Sequence, residues 1–288
     1  MGRPGGYRSP AWTSRVRGSR SNLYPVPCDW PHVLGDRILG VLGGMGPEAT
    51  AYFISLVTEL TPAERDQDHI PMVVISDPKI PDRSEAILSG GPSPVGRALR
   101  DLRMLESLGV ELVAIPCNTF FHFYEEVARG TSLEIVHMPR LTAELLADAG
   151  ARAVGLLGTT GLVRSGLYQR LLADMRIEVV LPDEQTQAEV MRAIYEIKAG
   201  RKSGARLALI RASRRLLDHG AQLVVEGCTE APLVLRGEPL PLLDPMEVMA
   251  RACVDRFKGT ALLSELRAEL AERVSRAQTR GPSGALLR

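Results

Sequence analysis

The sequence predicts an α/β protein: two similar doubly wound parallel-sheet domains related by a pseudo-twofold axis, with an active site in the cleft between them. Three observations carry this. Short apolar runs alternate with helical patterns along the chain, as in parallel strands joined by crossover helices. The run Leu112-Val113-Ala114-Ile115-Pro116-Cys117-Asn118-Thr119 is echoed by Leu223-Val224-Val225-Glu226-Gly227-Cys228-Thr229-Glu230, 111 positions later. Gly40-Val41-Leu42-Gly43-Gly44-Met45-Gly46 likewise matches Gly155-Leu156-Leu157-Gly158-Thr159-Thr160-Gly161, 115 positions on. Each half thus starts on a glycine-rich strand end and later delivers one cysteine to the carboxyl edge of its sheet, where ligands bind in open α/β folds.

A chain of 288 residues has room for two domains of ordinary size. Residues 1–36 are rich in Gly, Pro, Ser and Arg without apolar periodicity, and read as a disordered or non-native N-terminal extension. Residues 37–150 form the α/β domain carrying Cys117 and residues 151–258 the one carrying Cys228. Residues 259–288 supply a C-terminal helix and tail. A composition 45% hydrophobic and 24% charged fits a soluble globular protein. A formal net charge of +1 gives no reason to expect nucleic acid or a membrane surface as partner. No apolar run approaches the ~20 residues needed to span a bilayer. Cys28, Cys117, Cys228 and Cys253 lie far apart with no CxxC pair. That spacing is neither a disulfide framework nor a zinc-ligand set, so free thiols in a reducing cytoplasm are expected.

In order, Ile38–Leu42 reads as a strand, Gly43–Gly46 as a turn, and Pro47 as the first position of a helix running to about Leu60. Met72–Ile75 is the next strand. Asp77–Pro94, broken by prolines and glycines, reads as an irregular loop over the site. A helix over Arg97–Leu108 ends at Gly109 and leads into the first cysteine strand. Phe121–Ala128 follows as a helix, Glu134–His137 as a strand and Arg140–Ala149 as a helix stopped by Gly150. The second half begins at the strand Ala153–Leu157. Leu167–Met175 is then a helix, Ile177–Leu181 a strand, and Thr186–Ala199 and Ala205–His219 are helices. The second cysteine strand comes next, then a proline-rich passage, then helices over Pro245–Phe257 and from Ala261 to about Ala277. Leu262, Leu266 and Leu270 recur at helical spacing and should dock the last helix.

Gly44-Met45-Gly46-Pro47-Glu48-Ala49 fits the G-x-G-x-x-A dinucleotide pattern. That pattern expects an acid about 20 residues on, at the end of the second strand. Here the strand ends at Asp77, more than 30 residues after Gly44, and the second-half loop lacks the pattern. What both loops share is a helix N-terminus suited to a small anion such as a carboxylate. Met45 in the first loop, and Thr159 and Thr160 in the second, are therefore read as substrate-binding.

Cys28 and Cys253 are read as inert, the latter a small hydrophobe within a helix. Cys117 and Cys228 differ because they occupy equivalent positions. If the halves face each other, two thiols reach one cleft from opposite sides, each placed near a helix start where a thiolate is favoured. One thiolate can remove a proton from a stereocentre while the opposite thiol returns one, inverting configuration. That needs no cofactor if fixed donors stabilise the carbanion-like transition state, and it works with one thiol ionised and the other protonated.

Gly43-Gly44-Met45-Gly46-Pro47, Pro81-Asp82-Arg83-Ser84, Pro116-Cys117-Asn118-Thr119, Ile194-Tyr195-Glu196-Ile197-Lys198-Ala199-Gly200 and Gly227-Cys228-Thr229-Glu230 together resemble the aspartate/glutamate racemase family, over about residues 36–258. The Thr229-Glu230 ending is similar to its aspartate-racemase branch. The resemblance implies a cofactor-independent racemase of aspartate, with glutamate as an alternative substrate, and Cys117 and Cys228 as the acid/base pair. It also implies that Asn118, Thr119 and Thr229 bind the α-carboxylate or amino group, and that Arg83 and Lys198 meet the distal carboxylate. Glu230 is read as orienting a neighbour or holding the substrate ammonium. No metal and a homodimer are implied too. The rivals are a decarboxylase or isomerase acting on dicarboxylates, or a non-catalytic amino-acid-binding module. The chain departs from the family where it reads Phe120-Phe121-His122 after Thr119. At least one of the two rings is expected beside the cleft, where it would favour aspartate over glutamate.

Overall fold

Five consecutive buried residues, Leu39–Gly43, form β1 in the interior of the first sheet. The computed structural model describes residues 37–280, so the extension read over residues 1–36, with Cys28, lies outside the described residues. Gly44 follows with φ +89°, a left-handed conformation natural to glycine, and a Cβ there would stand 2.4 Å from the Asp77 backbone. The turn is pinned by Thr50, whose Oγ1 accepts from Gly44 N at 2.9 Å and donates to Gly46 O at 2.8 Å. Pro47 opens α1 (Pro47–Leu60), as its spacing predicts. β2 (Met72–Ser76) lies parallel to β1, with Met72 opposite Leu39.

The stretch Asp77–Pro94 is not irregular throughout. It holds α2 (Arg83–Ser89), capped by Asp82, whose carboxylate accepts from Glu85 N at 2.9 Å, and closed by left-handed Gly90. Asp77 is clamped by Arg97 and Arg100 of α3 (Val95–Ser107), and the Arg97 hydrogen bond, above all, holds its carboxyl down at about 2. β3 (Leu112–Ala114) follows. The helix expected from Phe121 begins earlier and tighter, as a 3₁₀ turn over Asn118–Phe123, and becomes α4 only at Tyr124–Ala128. β4 (Glu134–Ile135) and α5 (Met138–Asp148) complete the half.

The second half runs β5 (Ala153–Leu156), α6 (Thr160–Ser165), α7 (Leu167–Asp174), β6 (Glu178–Val180), α8 (Glu184–Lys198), α9 (Lys202–Asp218) and β7 (Leu223–Val225). α6 starts at the second-half loop, where a helix N-terminus was expected, whereas the elements inside the proline-rich passage, α10 (Pro232–Leu235) and β8 (Leu242–Leu243), were not foreseen in the sequence. The described residues end in α11 (Pro245–Lys258) and α12 (Leu262–Arg280).

Strand order is β2-β1-β3-β4 in one sheet and β6-β5-β7-β8 in the other, every pair parallel. The order repeats element for element, which is what the internal sequence echo requires. In both sheets the cysteine-bearing strand is an interior one, buried on both faces. Leu266, Leu270 and Val274 seat α12 against α11 and α5, with Leu262 partly buried at its start. Among the described residues no helix is long and apolar enough to cross a membrane.

Candidate active site

Interior strands β3 and β7 stop short of their cysteines, so Cys117 and Cys228 sit just past the hydrogen-bonded ladder, at the carboxyl edge of each sheet. Both are buried, 5% exposed, and both line a single cavity. Met45, Arg83, Asn118, Thr119, Thr159, Lys198, Thr229 and Glu230 line it as well, together with Asp82, Ser84 and Gly227, which sequence reasoning passed over. Thr160 is the exception among the expected residues. It lies outside this lining because it is the first residue of α6, where its hydroxyl takes a 3.3 Å hydrogen bond from Gln187 Nε2.

The cavity measures about 20 Å³ and shares Met45, Asp82, Arg83, Lys198 and Glu230 with an adjoining space of about 430 Å³. Glu48, which also lines the larger space, forms an ion pair with Lys202 that joins the start of α1 to the start of α9.

On the Cys228 side, the thiol donates to Glu230 Oε2 at 3.0 Å, and Thr229 Oγ1 lies 3.5 Å from the same oxygen. Burial first, and then the Glu230 carboxylate, push the Cys228 thiol well up, against the pull of Lys198. Both influences favour the neutral thiol at Cys228, one of the two states that the pairing read from the sequence calls for. Lys198 Nζ stands 3.7 Å from Glu230 Oε1. Burial works against its ammonium, but the anionic surroundings, Glu230 foremost, outweigh that and raise its pKa.

On the Cys117 side, Asn118 Oδ1 accepts from the Tyr168 hydroxyl at 2.8 Å, and the hydroxyls of Thr119 and Thr159 meet at 2.9 Å. Thr159 also caps α6 by accepting from Leu162 N at 3.0 Å. Arg83, only 8% exposed, donates to the carbonyls of Ile80, Pro81 and Met45, and its buried Nε has no hydrogen-bond partner.

Phe120 and Phe121 are not cavity residues. Both are packed in the core, Phe121 with its ring 4.8 Å from His137, and His122 is exposed. Both rings sit on the 3₁₀ turn and belong to the apolar core, in the cluster that also holds Cys117. Cys253 is fully buried and burial pushes its thiol up to about 12, as suits a small hydrophobe. Among the described residues no group of three or more His, Cys, Asp or Glu is arranged to hold a metal ion.

The Asp/Glu/Hydantoin racemase family profile matches residues 42–253. A broad specificity amino-acid racemase, RacX, of Bacillus subtilis is 28% identical over 235 residues, covering 76% of this chain and 98% of the relative. Among solved structures, an aspartate racemase from Picrophilus torridus is 34% identical with a TM-score of 0.73, covering 82% of this chain and 99% of that one. An aspartate racemase homologue from Pyrococcus horikoshii, at 24% identity and a TM-score of 0.62 over 81% of this chain and 99% of that one, shares the fold. With two cysteines at one cavity between two like sheets, the chain belongs to the Asp/Glu/Hydantoin racemase family of isomerases.

Proposed function

We propose that this racemase interconverts L- and D-aspartate, with glutamate as an alternative substrate, by a two-cysteine exchange of the Cα proton. The observation that carries the reading is the placement of Cys117 and Cys228, one from each half, on one cavity that also holds Arg83 and Lys198. Two opposed thiols suit inversion, whereas a decarboxylase of this fold needs one.

Cys228, held protonated against Glu230, is the acid that delivers a proton to one face of Cα. Cys117 on the other face is the base that removes the original proton, and the roles exchange for the opposite enantiomer. Asn118, Thr119 and Thr229 supply donors to the α-carboxylate as negative charge spreads into it. Arg83 and Lys198 face the distal carboxylate, the former through the Nε that has no protein partner. A space of about 20 Å³ holds roughly one water molecule, so the cleft widens to take an amino acid from the adjoining space.

The test is to follow each enantiomer of aspartate by chiral chromatography with the wild type, Cys117→Ala and Cys228→Ala. Racemisation by the wild type and none above background by either variant is expected, while both variants still bind aspartate. Substantial turnover by either variant ends the two-thiol reading.

A further inference from the structure

Asn118 and Thr119 follow Cys117 in the chain, yet each is held by a residue of the other half. Thr159, ahead of α6, grips Thr119, and Tyr168 of α7 grips Asn118. The second contact has a chemical consequence. A carboxamide has an accepting oxygen and a donating NH₂, and the partner that claims one end decides which end meets the cavity. Tyr168 is 0% exposed, and burial pushes its phenol up, so it keeps its proton and donates. It takes Asn118 Oδ1 at 2.8 Å. Asn118 Nδ2 is left buried with no hydrogen-bond partner, in a residue that lines the cavity beside Cys117.

We propose that Tyr168 is a positioning residue of the active site, fixing the Asn118 carboxamide so that Nδ2 donates to the α-carboxylate of the substrate. With the amide reversed, Oδ1 would face that carboxylate, and two acceptors repel. The inference rests on the proposal that the cavity takes an amino acid, and it adds a residue that touches no substrate. It also gives the second half a hand in aiming the first half's binding groups, so the carboxylate contact is made well only when the two halves are seated together.

The experiment compares wild type and Tyr168→Phe by calorimetric binding of aspartate and of its α-amide, isoasparagine, and by steady-state kinetics. Loss of one hydrogen bond is expected to raise the Kd for aspartate and to lower kcat/KM roughly three- to tenfold, with isoasparagine binding unmoved. In an Asn118→Ala background the same substitution should add nothing. An equal weakening for aspartate and isoasparagine, an unchanged Kd for aspartate, or full additivity with Asn118→Ala would overturn the proposal. Because binding is read without turnover, a protein that binds aspartate but does not racemise it would sink the reaction assignment and leave this one standing.

Discussion

Glu230 lies between Lys198, at 3.7 Å, and the Cys228 thiol, at 3.0 Å. One carboxylate therefore keeps an ammonium charged and a thiol neutral, the pairing that a proton donor beside an anion site needs. Arg83 is tied differently: three loop carbonyls hold it in place, and Nε is what remains for a ligand. If it meets the distal carboxylate, Arg83→Ala removes a charge-assisted hydrogen bond of about 1.5–3 kcal/mol. We expect kcat/KM for aspartate to fall about ten- to a hundredfold relative to that for alanine. Taking the ratio of the two substrates cancels any general loss from a loosened loop, and an equal loss for both would make Arg83 structural only. At this scale the sequence was legible wherever the motif itself bears the contact, as at Cys117, Lys198 and Glu230. It was misleading at Phe120 and Phe121, because an aromatic pair after a catalytic cysteine does not tell a 3₁₀ turn from an α-helix. In the structure both rings are buried in the apolar core.

Elements with regular periodicity, such as α1, α8 and α11, were readable to within a few residues. The short ones were not. The signal for α2 was present in Asp82-Arg83-Ser84-Glu85, a capping residue with an acid three positions on, but surrounding prolines and glycines outweighed it. β8 has two residues, and its place is set by its neighbour β7 rather than by its own pattern. Where β7 ends, Glu226 is buried with an unpartnered Oε1, near Asp244, which caps α11 and accepts from Tyr52 of α1 at 3.1 Å. Burial, then Asp244 and Glu247, push the Glu226 carboxyl well up, and burial first pushes Asp244 up to about 7. Both keep protons in the fold that the unfolded chain gives up above about pH 4. Stability contributed here is therefore lost as pH rises from that point. Glu226→Gln keeps the shape and cannot ionise. Its Tm advantage over the wild type is expected to grow between pH 5 and pH 8 in thermal melts; a difference that is constant or shrinks with pH would contradict the assignment.

The whole molecule repeats one strand order twice and brings the two carboxyl edges together. The halves meet closely at the site: a Cβ on Gly161 of α6 would stand 2.7 Å from the Ser84 Cα of α2. This doubling was the most legible feature of the sequence, since two echoes at nearly equal offsets can hardly arise without it. What the echoes left unread was the cross-half bonding, Tyr168 to Asn118 and Thr159 to Thr119, because contacts between distant segments leave no local pattern. The central claim is that each half brings one thiol to opposite faces of one stereocentre. It is tested most directly by incubating pure L-aspartate with the protein in deuterated water and following Cα deuterium in both enantiomers over the first few per cent of conversion. Deuterium should appear in every D-aspartate molecule formed while the remaining L-aspartate stays unlabelled. D-aspartate formed without deuterium, or label entering L-aspartate with no inversion, would contradict the two-thiol account.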